Sequence, residues 1–136
     1  MSFKFEQLDV WNMSLDYSDS IYELAEKLPE SERFNLKSQI TRAATSISLN
    51  IAEGSTGQSD PEQSRFLSMA IRSLIETVAC QRLITRRKYV SEKALMEHLD
   101  LQAQELAKRL HAFRRSLTKS SRFIGEEQPA YGTDQL

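Results

Sequence analysis

Between Ser38 and Ala52 the chain runs through fifteen residues with a single formal charge, Arg42. Leu36, Ile40, Ala43, Ile47 and Ile51 recur there at steps of three and four, the period of one α-helical face. At about 100° per residue, Ser38, Thr41, Thr45, Leu49 and Ala52 fall on the opposite side, and all are small or apolar. A helix on the outside of a small domain shows water a charged face. One without such a face is expected to be buried on both sides, and in a chain of 136 residues the second cover is expected to be another copy. This segment therefore predicts a homo-oligomer.

A polar stripe runs between the two faces: Gln39, Arg42, Ser46, Asn50 and Glu53, with Glu76 downstream as a candidate partner for Arg42. Together with Thr45 these residues are the candidate oligomer interface. Buried polar groups left without a hydrogen bond cost about 1–3 kcal/mol each, so such a stripe tends to fix register and partner choice. The alternative is that it lines a pocket or a central channel.

The remaining sequence reads as three more helices. The first is expected over about Leu8–Leu28, with Trp11, Leu15, Ser18, Tyr22 and Ala25 as its stripe, widened by Tyr17, Ile21, Leu24 and Leu28; Pro29 ends it. The uncharged helix is expected to start near an N-cap at Ser31 and to close at Gly54 in the left-handed conformation. Asp60 then reads as an N-cap with Pro61 at the first helical position. The third helix is expected to reach Tyr89, its stripe formed by Phe66, Ala70, Ser73, Leu74, Thr77, Cys80, Gln81 and Ile84. Its apolar arc, with Leu67, Ile71, Ile75 and Val78, covers about half the circumference, which also suits cover by another copy. Ser91 is the expected cap of a fourth helix, with Leu95, Leu99, Gln102, Leu106, Leu110, Phe113 and Leu117 as its stripe. Short loops between helices of similar length predict an antiparallel up-down-up-down four-helix bundle over residues 1–122 and a flexible tail over 123–136.

Only 4 glycines and 3 prolines interrupt the chain, in keeping with an all-α fold. No apolar run approaches the roughly 20 residues needed to cross a bilayer, so no membrane partner is expected. The first residues lack the basic-then-apolar build of a secretion signal, and a lone Cys80 cannot form an internal disulfide; both predict a cytoplasmic protein. The net charge of −1 hides an imbalance. Residues 1–32 hold two basic and eight acidic side chains, whereas residues 33–125 hold sixteen basic and eight acidic. Such asymmetry suits attraction between parts of an assembly, or a basic surface for a polyanion.

Groups for catalysis are scarce. Two histidines, His98 and His111, and one cysteine make no zinc set; neither histidine has a glutamate three positions before it, as di-iron bundles require. No glycine-rich phosphate loop occurs, and Cys80 sits on a core stripe as a small apolar residue. The chain is expected to be no enzyme and to need no cofactor or metal. Two basic clusters remain: Arg82, Arg86, Arg87 and Lys88 late in helix three, and Arg114, Arg115, Lys119 and Arg122 late in helix four. They complement helix dipoles at the least. Repeated around a symmetric assembly, they would form rings able to hold the phosphates of RNA or DNA without reading sequence. The function expected is a nucleic-acid-binding adaptor; the alternative is a scaffold that binds a protein partner without nucleic acid.

Gln39-Ile40-Thr41-Arg42-Ala43-Ala44-Thr45-Ser46-Ile47, running into Asn50-Ile51-Ala52-Glu53-Gly54, resembles the signature of the four-helix bundle proteins of 23S ribosomal RNA intervening sequences. Leu8, Val10-Trp11, Leu28-Pro29 and Glu32-Arg33 match the family's opening; Phe66-Leu67, Ala70, Ser73-Leu74 and Glu76 match its third helix. Ser48 departs from the pattern, since members often have a proline soon after Ser-Ile, and a straighter helix two is expected here. The resemblance covers about residues 3–118. It implies a homopentamer of bundles around a central channel. It is also similar to the accessory proteins of diversity-generating retroelements, which implies a nucleic-acid enzyme such as a reverse transcriptase as partner.

Overall fold

A computed structural model of the chain describes residues 2–57 and 59–123, with side chains to residue 117. The described residues form four α-helices and two single 3-10 turns, without a strand: α1 (Asp9–Ala25), α2 (Leu36–Gly54), α3 (Asp60–Arg86) and α4 (Lys93–Phe123). The all-α expectation holds. Lys119 and Arg122 have side chains outside the described residues, and so does the expected tail beyond Phe123.

Each helix packs on its two neighbours in a cycle: α1 on α2 and α4, α3 on α2 and α4, with α2 and α3 the most extensive pair. Ser14 bonds Ser48 at 2.8 Å and Glu26 pairs with Lys37 at 3.4 Å between α1 and the start of α2. Ser46 meets Ser73 at 2.9 Å, and Ser55, just past α2, meets Gln63 at 3.5 Å. Arg82 meets Asp100 at 3.0 Å and Ser68 meets Arg114 at 2.7 Å between α3 and α4. In every case numbering rises along one helix as it falls along the other.

The core on α1 is Val10, Ser14, Tyr17, Ile21, Leu24 and Ala25, whereas Leu15 and Tyr22 are exposed. The arc expected as secondary has become the principal one. Trp11 and Ala25 of the first stripe still pack on or within the core, so the buried face is rotated and not replaced. Helix α1 stops at Ala25, three residues before Leu28, whose N–H still bonds the Ala25 carbonyl.

Three helix boundaries correct the sequence expectation. Helix α2 begins at Leu36, not near Ser31, because Glu32 caps it from outside. The Glu32 carboxylate is 6 % exposed and accepts from Asn35 Nδ2 at 2.9 Å, Leu36 N at 3.3 Å and the Tyr89 hydroxyl at 2.8 Å. Those bonds, Tyr89 first, hold its carboxyl below the ordinary carboxylate value against the opposing effect of burial. At α3 the cap is Ser59, whose Oγ accepts from Glu62 N at 3.4 Å, and Asp60 is the first helical residue. At α4, Met96 N bonds the Glu92 carbonyl, so Glu92 and not Ser91 occupies the capping position.

Gly54 closes α2 as a helical residue and not in the left-handed conformation. Its role is closeness: a Cβ there would stand 2.9 Å from Phe66 Cβ on α3. Positive φ occurs instead at Gly57, 90°, in the loop after α2, and at Lys88, 59°, just past α3. Tyr89 N bonds the Ile84 carbonyl and Lys88 N the Thr85 carbonyl there, the paired closure that usually takes glycine.

Candidate interaction surfaces

The outward face of α2 is not free of charge, because Arg42 and Glu53 are exposed on it with Gln39, Thr45 and Leu49. Leu49 is 62 % exposed, Thr45 is exposed, and Ser38, Thr41 and Ala52 are half-buried. Leu49 and Ala52 line a groove with Phe3 and Phe5 from the N-terminal turn, with Glu53 at its edge. Thr45 Oγ1 lies 3.3 Å from the Tyr22 hydroxyl, joining the α1 and α2 surfaces.

The polar stripe divides between two places. Gln39, Arg42, Ser46, Ser73 and Glu76 line one cleft between α2 and α3. Ser46 Oγ is its hub, accepting from Asn50 Nδ2 at 3.0 Å and from Ser73 Oγ at 2.9 Å. Gln39 reaches back to Asn35 Oδ1 at 2.8 Å. Arg42 and Glu76 share the cleft, yet no ion pair joins them among the described residues. Glu53 and Thr45 face elsewhere, as above. Sequence spacing placed these residues on one helix stripe, but it could not say where a neighbouring helix would cut it.

The basic residues are partly used by the fold. Arg82 pairs with Asp100, Arg114 Nη1 donates to Ser68, and Arg87 lies against the Glu32–Tyr89 pair. Arg86 and Lys88 are exposed at the end of α3. Arg115 lies at the edge of the groove described next. Because Arg82 reaches the start of α4 and Arg114 the start of α3, the two clusters stand at opposite ends of that helix pair.

Two features went unseen in the sequence. The first is a groove between α3 and α4 of about 470 Å³, floored by Leu74, Ile75, Val78, Ala103 and Ala107. Its rim holds Arg82, Asp100, Lys108 and Arg115, and His111 is buried in its wall. The wide apolar arc of α3, which takes in Leu74, Ile75 and Val78, signalled an uncovered face but not where it would open. The second is a hydrogen-bond chain inside the core. Thr77 Oγ1 donates to the Leu74 carbonyl at 2.6 Å, so the Tyr17 hydroxyl must donate to Thr77 at 2.8 Å and accept from Gln81 Nε2 at 2.7 Å. Burial pushes the Tyr17 hydroxyl up to about 12. Gln81 is fully buried, and its Oε1 finds no partner among the described residues. Burial likewise raises the Cys80 thiol, which sits in the core as expected.

No group of three His, Cys, Asp or Glu side chains among the described residues could hold a metal ion. His98 is exposed beside Asp16 and Glu105 in a shallow depression. None of the described helices is long and apolar enough to cross a membrane.

The family model of the 23S rRNA-intervening sequence protein matches residues 6–112. The chain belongs to the 23S rRNA-intervening sequence protein family. It is also similar to the crystal structure of a protein with unknown function from the S23 ribosomal protein family of Bacteroides thetaiotaomicron VPI-5482. The TM-score is 0.70 and the identity 28%, over 77% of this chain and 97% of that one. No curated protein matches. In this member of the 23S rRNA-intervening sequence family, Ser48 departs from the expected proline and is used: it is buried and donates to Ser14 Oγ, whose own proton goes to the Trp11 carbonyl. The matched span takes in the whole α2 signature and the α3 basic cluster. It stops before Arg114, Arg115, Lys119 and Arg122.

Proposed function

We propose that this chain is a non-enzymatic, cytoplasmic helical-bundle protein that works as a homo-oligomer, serving as an adaptor that binds RNA or DNA. The opposed numbering of the helix contacts favours an up-down-up-down arrangement, and the family resemblance favours five copies. The observation that carries the reading is the outward face of α2. Leu49 is 62 % exposed there and lines a groove with Ala52, Phe3 and Phe5, and an apolar patch of that kind is ordinarily covered by a partner. Light scattering on the chain is expected to return several times 15.6 kDa. A monomer would sink the assembly reading.

The nucleic-acid part rests on the basic excess beyond residue 32 and on Arg86 and Lys88, which stand exposed at one end of the bundle. Repeated by symmetry, they would form a cationic ring. In filter binding over a salt series, log K should fall steeply as log salt rises, and Arg86→Ala with Lys88→Ala should weaken all sequences alike. Absence of binding at about 50 mM salt would overturn it. A scaffold that binds a protein partner, a reverse transcriptase by family resemblance, is the second reading. It is favoured by one observation: Arg82, Arg87 and Arg114 are engaged within the fold and so less available to phosphates.

A further inference from the structure

The acidic residues of α1 are poorly matched by cations among the described residues: Lys27, on which Glu23 acts, is itself paired with Glu92 at 2.8 Å. Asp9, Asp16, Asp19 and Glu23 are all exposed, and none joins an ion pair among the described residues. The α4 helix beside them does not help, because Asp16 there faces Glu105 and His98. Next to these acids runs an exposed apolar strip, Leu15 and Tyr22 on α1 with Leu49 on α2. Four carboxylates around uncovered apolar side chains make a surface that lacks its complement.

The α3–α4 groove has the complementary character. Its floor is apolar, with Ile75 45 % exposed, and Lys108 and Arg115 stand on its α4 rim. Those two cations are seven residues apart, and so are Asp16 and Glu23 on α1. At 1.5 Å per residue both pairs span about 10.5 Å along their helices, so the two sets can face each other in register. The surfaces cannot meet within one copy. The groove opens between α3 and α4, whereas Leu15 and Tyr22 stand exposed on α1, which does not pack on α3.

We propose that the α3–α4 groove is the docking site for the acidic α1 face of a second copy of this chain, Leu15 and Tyr22 entering the apolar floor while Asp16 and Glu23 face Lys108 and Arg115. The inference rests on the homo-oligomer reading and deepens it. The contact joins two different surfaces, so it is heterologous and builds a ring or an open chain of copies, not a closed twofold pair. Apolar burial supplies the attraction, and the opposite charges steer the two surfaces together.

Two charge reversals and their combination test it, with circular dichroism to verify that each variant keeps its helices. Asp16→Lys with Glu23→Lys blocks one surface; Lys108→Glu with Arg115→Glu blocks the other. Each is expected to bring the light-scattering mass down to the 15.6 kDa chain. Mixed together, the two variants complement each other at both kinds of contact and should co-assemble into species of more than two copies. Placing all four substitutions in one chain should restore the wild-type mass. An oligomeric wild type whose mass is unchanged by either reversal overturns this proposal and leaves the homo-oligomer reading standing. Failure of the fourfold variant to reassemble, or of the mixture to co-assemble, also overturns it. A monomeric wild type is the separate failure of the reading beneath it.

Discussion

Toward α2, helix α3 approaches so closely that Gly54 has no room for a methyl group, its notional Cβ standing 2.9 Å from Phe66 Cβ. Toward α4, the same helix borders an open groove with Ala103 and Ala107 on its floor. Small residues occur at both flanks, and their consequences are opposite. On the α2 side they are filled by neighbouring backbone, with Ser46 and Ser73 tying the seam. On the α4 side they leave space that the chain does not fill. A small residue thus has no fixed meaning until its neighbour is placed.

The sharpest way to break this contrast is to enlarge Gly54. In an unconstrained helix, glycine to a larger residue removes backbone entropy and is favourable. Here Gly54→Val must push α3 away, because the obstructing atom is Phe66 Cβ, close to its backbone, and not the end of a flexible side chain. The expected loss is about 3 kcal/mol in urea unfolding. A neutral or stabilising result would mean that the α2–α3 seam is looser than drawn.

The core polar chain probes the centre between the flanks. Tyr17→Phe removes the oxygen that accepts from Gln81 Nε2, leaving both polar ends of a fully buried amide without partners. A cost of about 1–2 kcal/mol is expected, read from the same unfolding curves. The side chain of Thr77 keeps its bond to the Leu74 carbonyl, which limits the damage.

A smaller, pH-dependent effect is expected where α2 begins. The Tyr89 hydroxyl donates to Glu32, lowering the Glu32 pKa and raising that of Tyr89. A lowered carboxyl contributes stability above its ordinary value of 4.5, lost as pH falls through the folded value. A raised phenol contributes below its ordinary value of 10.0, lost as pH rises through the folded value. Tyr89→Phe should therefore lower Tm most between those limits, and its deficit should narrow on both sides. A deficit that is constant with pH would show that only packing was removed.

How much of this was legible in advance depended on whether one helix or two decided the matter. The four helices, the core positions of α2 and the burial of Cys80 follow from period and composition, which a single segment carries. The capping of α2 by Glu32 did not, because its partner Tyr89 is fifty-seven residues away and only the folded chain brings them together. Gly54 was read as a stop signal because its crowding depends on Phe66, across the seam. The same limit divided the polar stripe: Ser46, Arg42 and Glu76 meet in one cleft, whereas Thr45 and Glu53 turn to other surfaces. Arg82, Arg87 and Arg114 looked equivalent to Arg86 and Lys88 until their acceptors were placed beside them.

The remaining test repeats the first experiment on the other flank of α3. Ala107 is half-buried on the floor of the α3–α4 groove, and leucine suits a helix almost as well as alanine. Ala107→Leu has open space to grow into, so stability should stay within about 0.5 kcal/mol of wild type. Its effect should fall on assembly instead, because the new side chain occupies the volume proposed for Leu15 and Tyr22 of the next copy. Light scattering should then show weaker self-association in a chain that unfolds at the wild-type urea concentration. If Ala107→Leu destabilised the fold as Gly54→Val does, the groove would be a packed seam, and the two flanks of α3 would be alike after all.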